Sequence, residues 1–304
     1  MQEKQMPTKK ELTEILARLG LPGIGEESIT AFTDDEDGYE YAVWLIDAGK
    51  EKYVLKRAKA FELEAFRCFF SDRKSYVPAF FGSCEYDGKD FFLMEYCPGE
   101  DLRRCEREKL RKALDALIEM QDEFWQREEL YDSVVTLGRA LEGIEKRGRY
   151  LGSELLEKAY AGFVQIYKNT PRTLCHDDLL PINLLIGERA VLIDWEYGGV
   201  LPYLSSFARL IAHGREDGGA FFYMTLEDRN FAIQYYYDRL VRKHGISEEE
   251  YRHALVYFLF YEYCEWVMLG NRYDGRSDER YGYYLKLAEE TAAQLLREKT
   301  GRKM

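Results

Sequence analysis

The chain has 304 residues, 43 Lys and Arg against 55 Asp and Glu for a formal net charge of −12, and it is 46% hydrophobic with 15% aromatic residues and 7 Pro. That composition excludes disordered and fibrous classes and supplies enough apolar surface for one or two domains with cores of their own. The acidity disfavours a nucleic-acid binder that neutralises phosphates by overall charge, and it speaks only weakly for a cationic partner.

The first ten residues mix Lys and Glu with no apolar run, and no stretch of about 18 apolar residues follows, so neither a signal peptide nor a spanning helix is expected. The six cysteines form no Cys-x-x-Cys and no cluster with the four histidines. A zinc site or disulfide framework is not expected, and a reducing cytoplasm fits best. The expected assembly is a monomer or weak dimer without membrane or nucleic-acid partners.

In chain order, Thr8 and Glu11 have the spacing of a capping box, and Leu12, Ile15, Leu16 and Leu19 repeat at helical intervals until Gly20 and Pro22. Three β-rich runs follow, 28–33, 39–46 and 52–57, the last two joined by the turn 47–50. A short amphipathic helix over 61–70 precedes strands at 79–86 and 89–96, connected by Asp87-Gly88. Beyond Pro98-Gly99 the spacing turns helical, over 102–126, 129–147, 151–168, 203–213, 227–244, 247–269 and 278–298. One hairpin interrupts it, at 183–186 and 190–193. The expectation is an α+β fold of two lobes, a small antiparallel-sheet lobe with an extra N-terminal helix over 1–96 and a large, mainly helical lobe over 97–304.

The chemistry concentrates around that hairpin. His176, Asp178 and Asn183 form H-x-D-x-x-x-x-N, and Ile193-Asp194-Trp195-Glu196 closes the second strand. Phosphoryl transfer needs a carboxylate to orient the attacking hydroxyl and accept its proton, and hard oxygen ligands for Mg²⁺. Asp178 suits the first task, Asn183 and Asp194 the second.

In these motifs the sequence resembles the aminoglycoside phosphotransferase and choline kinase superfamily, protein-kinase-like enzymes that phosphorylate small alcohols. The resemblance spans roughly 25–270 and implies a bilobal kinase-like fold, a purine nucleotide donor (ATP by default, GTP as the open alternative) and Mg²⁺. It implies that Lys56, at the end of Tyr53-Val54-Leu55-Lys56, grips phosphate and pairs with a Glu on the next helix. Of Glu62 and Glu64, Glu64 has the better spacing, fourteen residues before Pro78. Phe92 to Gly99 matches the hinge between lobes, with backbone recognition of the purine at Glu95 and Cys97 and Met94 behind the base. His176 would brace the catalytic loop.

Three departures carry consequences. The first hairpin bears Asp34, Asp35, Glu36 and Asp37, whose charges would repel a triphosphate unless they point to solvent while Gly38 makes the close turn. Asp177 stands where Gly is frequent and is expected to turn away from the site. Ser206 replaces an Asp common at the start of the following helix, so whatever that Asp buttresses must be held differently.

No peptide-binding element separates Asp194 from Pro202 and the helix after it, so the acceptor is expected to be a small molecule. Glu262, Glu265 and Trp266 share one helical face, and with Glu196 they are the candidate acceptor contacts, suited to an ammonium-bearing, aminoglycoside-like or choline-like alcohol. The competing reading is that Trp266 packs and the glutamates pair with a nearby Arg. From residue 201 onward acids and bases number 16 and 15, so the net acidity lies in the first 200 residues and only these local carboxylates argue for a cationic acceptor. A catalytically silent binding protein on the same fold is the alternative function.

Overall fold

The computed structural model describes residues 6–33 and 40–301. Asp34 to Gly38, and with them the expectation for the acidic loop, lie outside the described residues.

The first helix, α1 (Lys9–Arg18), begins where the capping box requires: the Thr8 hydroxyl accepts from the Glu11 N–H, and the Glu11 carboxylate accepts from the Thr8 N–H. Strands β1 (Ile29–Thr33), β2 (Glu40–Asp47), β3 (Lys52–Arg57), β4 (Phe80–Tyr86) and β5 (Lys89–Glu95) form an antiparallel sheet in the order β1-β2-β3-β5-β4, with α2 (Glu62–Phe69) between β3 and β4.

Alternation along β3 sets the lobe's two faces. Leu55 points to a cluster with Leu12, Ile15 and Leu16 of α1, while Val54 belongs to the large core that also holds Phe66 and Phe69 of α2. Lys56, in register with Phe92, therefore leaves the sheet on the Val54 side, toward the helical part of the molecule.

Helices α3 (Arg107–Glu123), α4 (Leu137–Gly148) and α5 (Glu154–Asn169) come next. Strand β6 (Arg172–Cys175) leads into the motif region, β7 (Leu184–Ile186) and β8 (Ala190–Leu192) form the expected hairpin, and β9 (Gly199–Pro202) returns to pair with β6. The chain ends in α6 (Leu204–Ala212), α7 (Leu226–Tyr236), α8 (Glu248–Tyr273) and α9 (Glu279–Gly301). A π-helical turn, Tyr237–Val241, extends α7. The Ser247/Glu250 capping box starts α8.

The architecture is the expected α+β kinase-like one, with three local differences. The β6–β9 pair was not expected. Helix α3 starts at Arg107 rather than near 102, because the preceding segment bridges to 223 instead, with the Cys105 N–H donating to the Tyr223 carbonyl. Helix α4 starts at Leu137, where the Thr136 hydroxyl caps the Arg139 N–H, rather than near 129. Among the described residues no helix is long and apolar enough to cross a membrane.

Candidate active site

The segment between β6 and β7 is held from below by aromatic packing and backbone bonds. Trp195 is fully buried, its Nε1–H donates to the Leu192 carbonyl at 3.1 Å, and its ring lies 4.7 Å from that of His176. His176 Nε2 bonds the Ile193 carbonyl at 2.7 Å. Burial lowers the His176 pKa to about 4, so the ring is neutral, Nε2 carries the proton and Nδ1 is a buried acceptor without a partner. The His176 N–H donates to the Ser206 hydroxyl at 2.8 Å. Ser206 thus supports the backbone at the head of the loop, the tether expected to be made differently once the Asp was absent.

Asn183 closes the loop. Its Nδ2 donates to the Asp178 carbonyl at 2.7 Å, and its own carbonyl accepts from the Ile193 N–H at 3.0 Å, next to Asp194. The Asn183 side-chain oxygen is left over for another ligand. Asp194 has a φ of +65°, a left-handed conformation that directs its carboxylate at the sheet lobe.

There Lys56 Nζ lies 2.6 Å from Asp194 Oδ1 and 2.6 Å from Glu62 Oε1, joining positions 138 residues apart. Burial alone would raise the Asp194 pKa, but the Lys56 ammonium outweighs it and holds the carboxyl below its usual value. The same two carboxylates overcome burial at Lys56 and keep it charged.

Glu64 is corrected here: it is exposed, and Glu62 pairs with Lys56. Glu62 stands at the start of α2 on the same stripe as Ala65, Phe66 and Phe69, all facing inward, whereas position 64 is rotated to solvent. Lys59, which the sequence reading did not single out, lies 3.8 Å from both Asp194 and Glu196. Its signal was available in the Lys56-x-x-Lys59 spacing.

At the hinge, the Glu95 carboxylate accepts from the Ala79 N–H at 3.0 Å and from Arg189 Nη2 at 2.6 Å. Arg189, in the β7–β8 turn, also lies 3.8 Å from Cys97 Sγ. Met94 is buried in the core that runs between the lobes.

Beyond Asp178 opens a cavity of about 460 Å³. One wall carries Asp177, Asp178, Arg209, Glu262 and Glu265. Arg209, from α6, is its centre. Its Nε and Nη2 donate to Asp178 Oδ1 at 3.1 and 2.9 Å, and its Nη1 donates to Glu262 Oε2 at 2.8 Å and to Glu265. His213 Nε2 is 3.4 Å from Glu262, so His213, Glu262 and Glu265 have the proximity of a metal-ligand group. The guanidinium already supplies the positive charge there. Burial raises the Asp178 pKa against the opposing pull of Arg209.

As open acceptor contacts, Glu262, Glu265 and Trp266 are corrected, and the competing reading of that face holds. The glutamates of α8 do share a face, but Arg209 neutralises them instead of leaving them open to an ammonium group. Trp266 is absent from the cavity wall; it stacks on Tyr284 at 5.7 Å and 8° and holds the Arg280 guanidinium 4.5 Å over its ring. Asp177 is corrected too. With a φ of +60° it fills the conformation that favours Gly, yet its side chain faces the cavity, and burial pushes its pKa up to about 7.

The model described as "Phosphotransferase enzyme family" matches residues 31–240. Among solved structures, an aminoglycoside phosphotransferase from Alicyclobacillus acidocaldarius is similar at 14% identity, with 98% of this chain and 97% of that chain covered and a TM-score of 0.61. The aminoglycoside-3'-phosphotransferase of type VIII is 17% identical over 84% of this chain and 99% of that one, with a TM-score of 0.57. A thermostable variant of APH(4)-Ia in ternary complex with ADP and hygromycin B is 13% identical over 94% and 98%, with a TM-score of 0.56. These likenesses establish the fold. No curated protein matches the chain significantly.

Proposed function

Because the chain belongs to the phosphotransferase enzyme family, we propose that it transfers the γ-phosphoryl group of a purine nucleotide, in the presence of Mg²⁺, to a hydroxyl group of a small molecule. The observation that carries this is the convergence of Lys56, Glu62 and Asp194, from both lobes, and of Asn183 with Asp178, which lines the cavity.

In this reading residues 1–96 hold the nucleotide and 97–304 the acceptor. Lys56 binds phosphate, and buried Glu62 fixes its long side chain so that little freedom is lost on binding. Segment 94–97 holds the base by its backbone. Adenine is the base proposed, supported by the ADP in the APH(4)-Ia complex. Asp178 orients the hydroxyl and accepts its proton, with Arg209 holding one carboxylate oxygen and the other left for the acceptor. His176 and Ser206 keep that loop in place.

Asn183 and Asp194 fit a Mg²⁺ ion: one uncommitted amide oxygen and a carboxylate held ionised are a hard oxygen donor set. When bound, Mg²⁺ would neutralise charge on the transferring phosphates.

Calorimetric titration with Mg–AMP-PNP tests the nucleotide half. Wild type is expected to bind, and Lys56→Met combined with Glu62→Gln, which spares Glu62 an unpaired buried charge and leaves Asp194 beside Lys59, is expected to bind about tenfold or more weakly. No binding by wild type, or equal binding by the double variant, contradicts this assignment.

A further inference from the structure

We propose that the acceptor alcohol also carries an anionic group, a carboxylate or a phosphate, and that α4 reads this group through Arg147, with Arg139 at the outer end of the same wall. The inference rests on the phosphotransferase reading and names the substrate class of that site.

The acidic wall of the cavity has its cation built in. Asp178, Glu262 and Glu265 all bond Arg209, which is largely enclosed, so an incoming ammonium group would have to compete with a tethered guanidinium. Across the cavity the arginines have no carboxylate in direct contact. Arg147 donates through Nη2 to the Tyr261 hydroxyl, and its Nε is buried with no acceptor. Arg139 lies 4.4 Å over the Phe61 ring. Among the described residues no carboxylate lies within 4 Å of either guanidinium. Asp177 and Glu265 attract Arg147 across the cavity, but from beyond ion-pair distance.

A half-buried guanidinium that lines a cavity and bonds no carboxylate gains from an anion placed against its accessible edge, where water screens the attraction less than at the surface. Planar donors of this kind suit carboxylate and phosphate oxygens. The helix between the two arginines leaves room for the body of such a ligand. Arg139, Gly143 and Arg147 recur every four residues and so share a face. A Cβ placed on Gly143 would meet nothing within 4 Å, so a shallow trough joins the two cations beside Asp178.

Titrations into protein saturated with Mg–AMP-PNP test the proposal. Gluconate is the carboxylate probe and glycerol phosphate the phosphate probe, with glucose and glycerol as uncharged counterparts and choline as the cation. At least one anion is expected to bind more tightly than its uncharged counterpart and than choline, and which one binds identifies the source of the charge. Arg147→Gln is expected to weaken that binding about tenfold or more. Gly143→Leu, a change into open space on a helix, is expected to block it without lowering the melting temperature and with nucleotide affinity unchanged. The proposal is overturned if neither anion binds, if choline binds in preference, or if Arg147→Gln binds the anion as wild type does. The same titrations without nucleotide decide the matter separately, so a failure of nucleotide binding would count against the phosphotransferase reading and not against the anion site.

Discussion

Asp177 shows how a single residue sets a pH dependence at this site. Its carboxyl titrates near 7 in the folded protein, chiefly because of burial, against about 3.9 in an unfolded chain. A raised folded pKa means that the favourable protonation is fully present below pH 4 and is lost as pH rises through 7. Asp177→Asn keeps a residue that tolerates a φ of +60° and removes the charge. Its stability is expected to match wild type at pH 4 and to exceed it at pH 8 by about 1–3 kcal/mol, after allowing for the solvent that reaches the cavity, with a correspondingly higher melting temperature. Parallel melting curves from pH 4 to 8 would contradict that. The motif residues at 176, 178, 183 and 194 were legible because their order and spacing along the chain carry the pattern. Arg209 was not, since its partners lie 31, 53 and 56 residues away and no local rule links them. The choice of Glu64 over Glu62 failed for a smaller reason: spacing to Pro78 was weighed above which side of α2 faces the core.

Among the elements, α6 and the loop before β7 act as a unit through Ser206. In Ser206→Ala the buried His176 N–H loses its acceptor, a cost of about 1–3 kcal/mol. The variant is expected to melt lower and to lose turnover while Mg–AMP-PNP affinity stays at the wild-type level, because Lys56 and the hinge are untouched. Unchanged stability together with unchanged turnover would show that the tether is idle. Strands β1 to β5 were readable from alternation and turn residues, and the Thr8/Glu11 capping box marked the start of α1. Strands β6 and β9 were not, because four-residue strands paired across about thirty residues have neither a hairpin turn nor a long alternation to reveal them. The start of α4 was legible in principle, in Thr136, but apolar spacing from 129 onward masked it.

Across the whole molecule, the ionic contacts that join the lobes among the described residues include Lys56 with Asp194, Lys59 with Asp194 and Glu196, Lys74 with Glu123, and Arg189 with Glu95. Those of Lys56 and Lys59 lie where phosphate is proposed to bind, and that of Arg189 lies at the hinge. The net charge of −12 does not define the acceptor, since the cavity alternates three arginines with four carboxylates and three of the carboxylates converge on Arg209. The chain's overall architecture followed from the order of strand-rich and helix-rich stretches, whereas the character of the acceptor wall became visible only once α4, α6 and α8 were assembled. The central claim is phosphoryl transfer centred on Asp178, and acceptor-dependent ADP formation measures it most directly. Across hydroxy acids, sugar phosphates, aminoglycosides, choline, homoserine and sugar alcohols, wild type with Mg–ATP is expected to form ADP and a phosphorylated product with at least one class. Asp178→Asn is expected to lose that transfer about a hundredfold or more while still binding Mg–AMP-PNP; an Asp178→Asn enzyme that transfers phosphate at the wild-type rate, or a wild type that binds nucleotide and transfers to none of these alcohols, would contradict it.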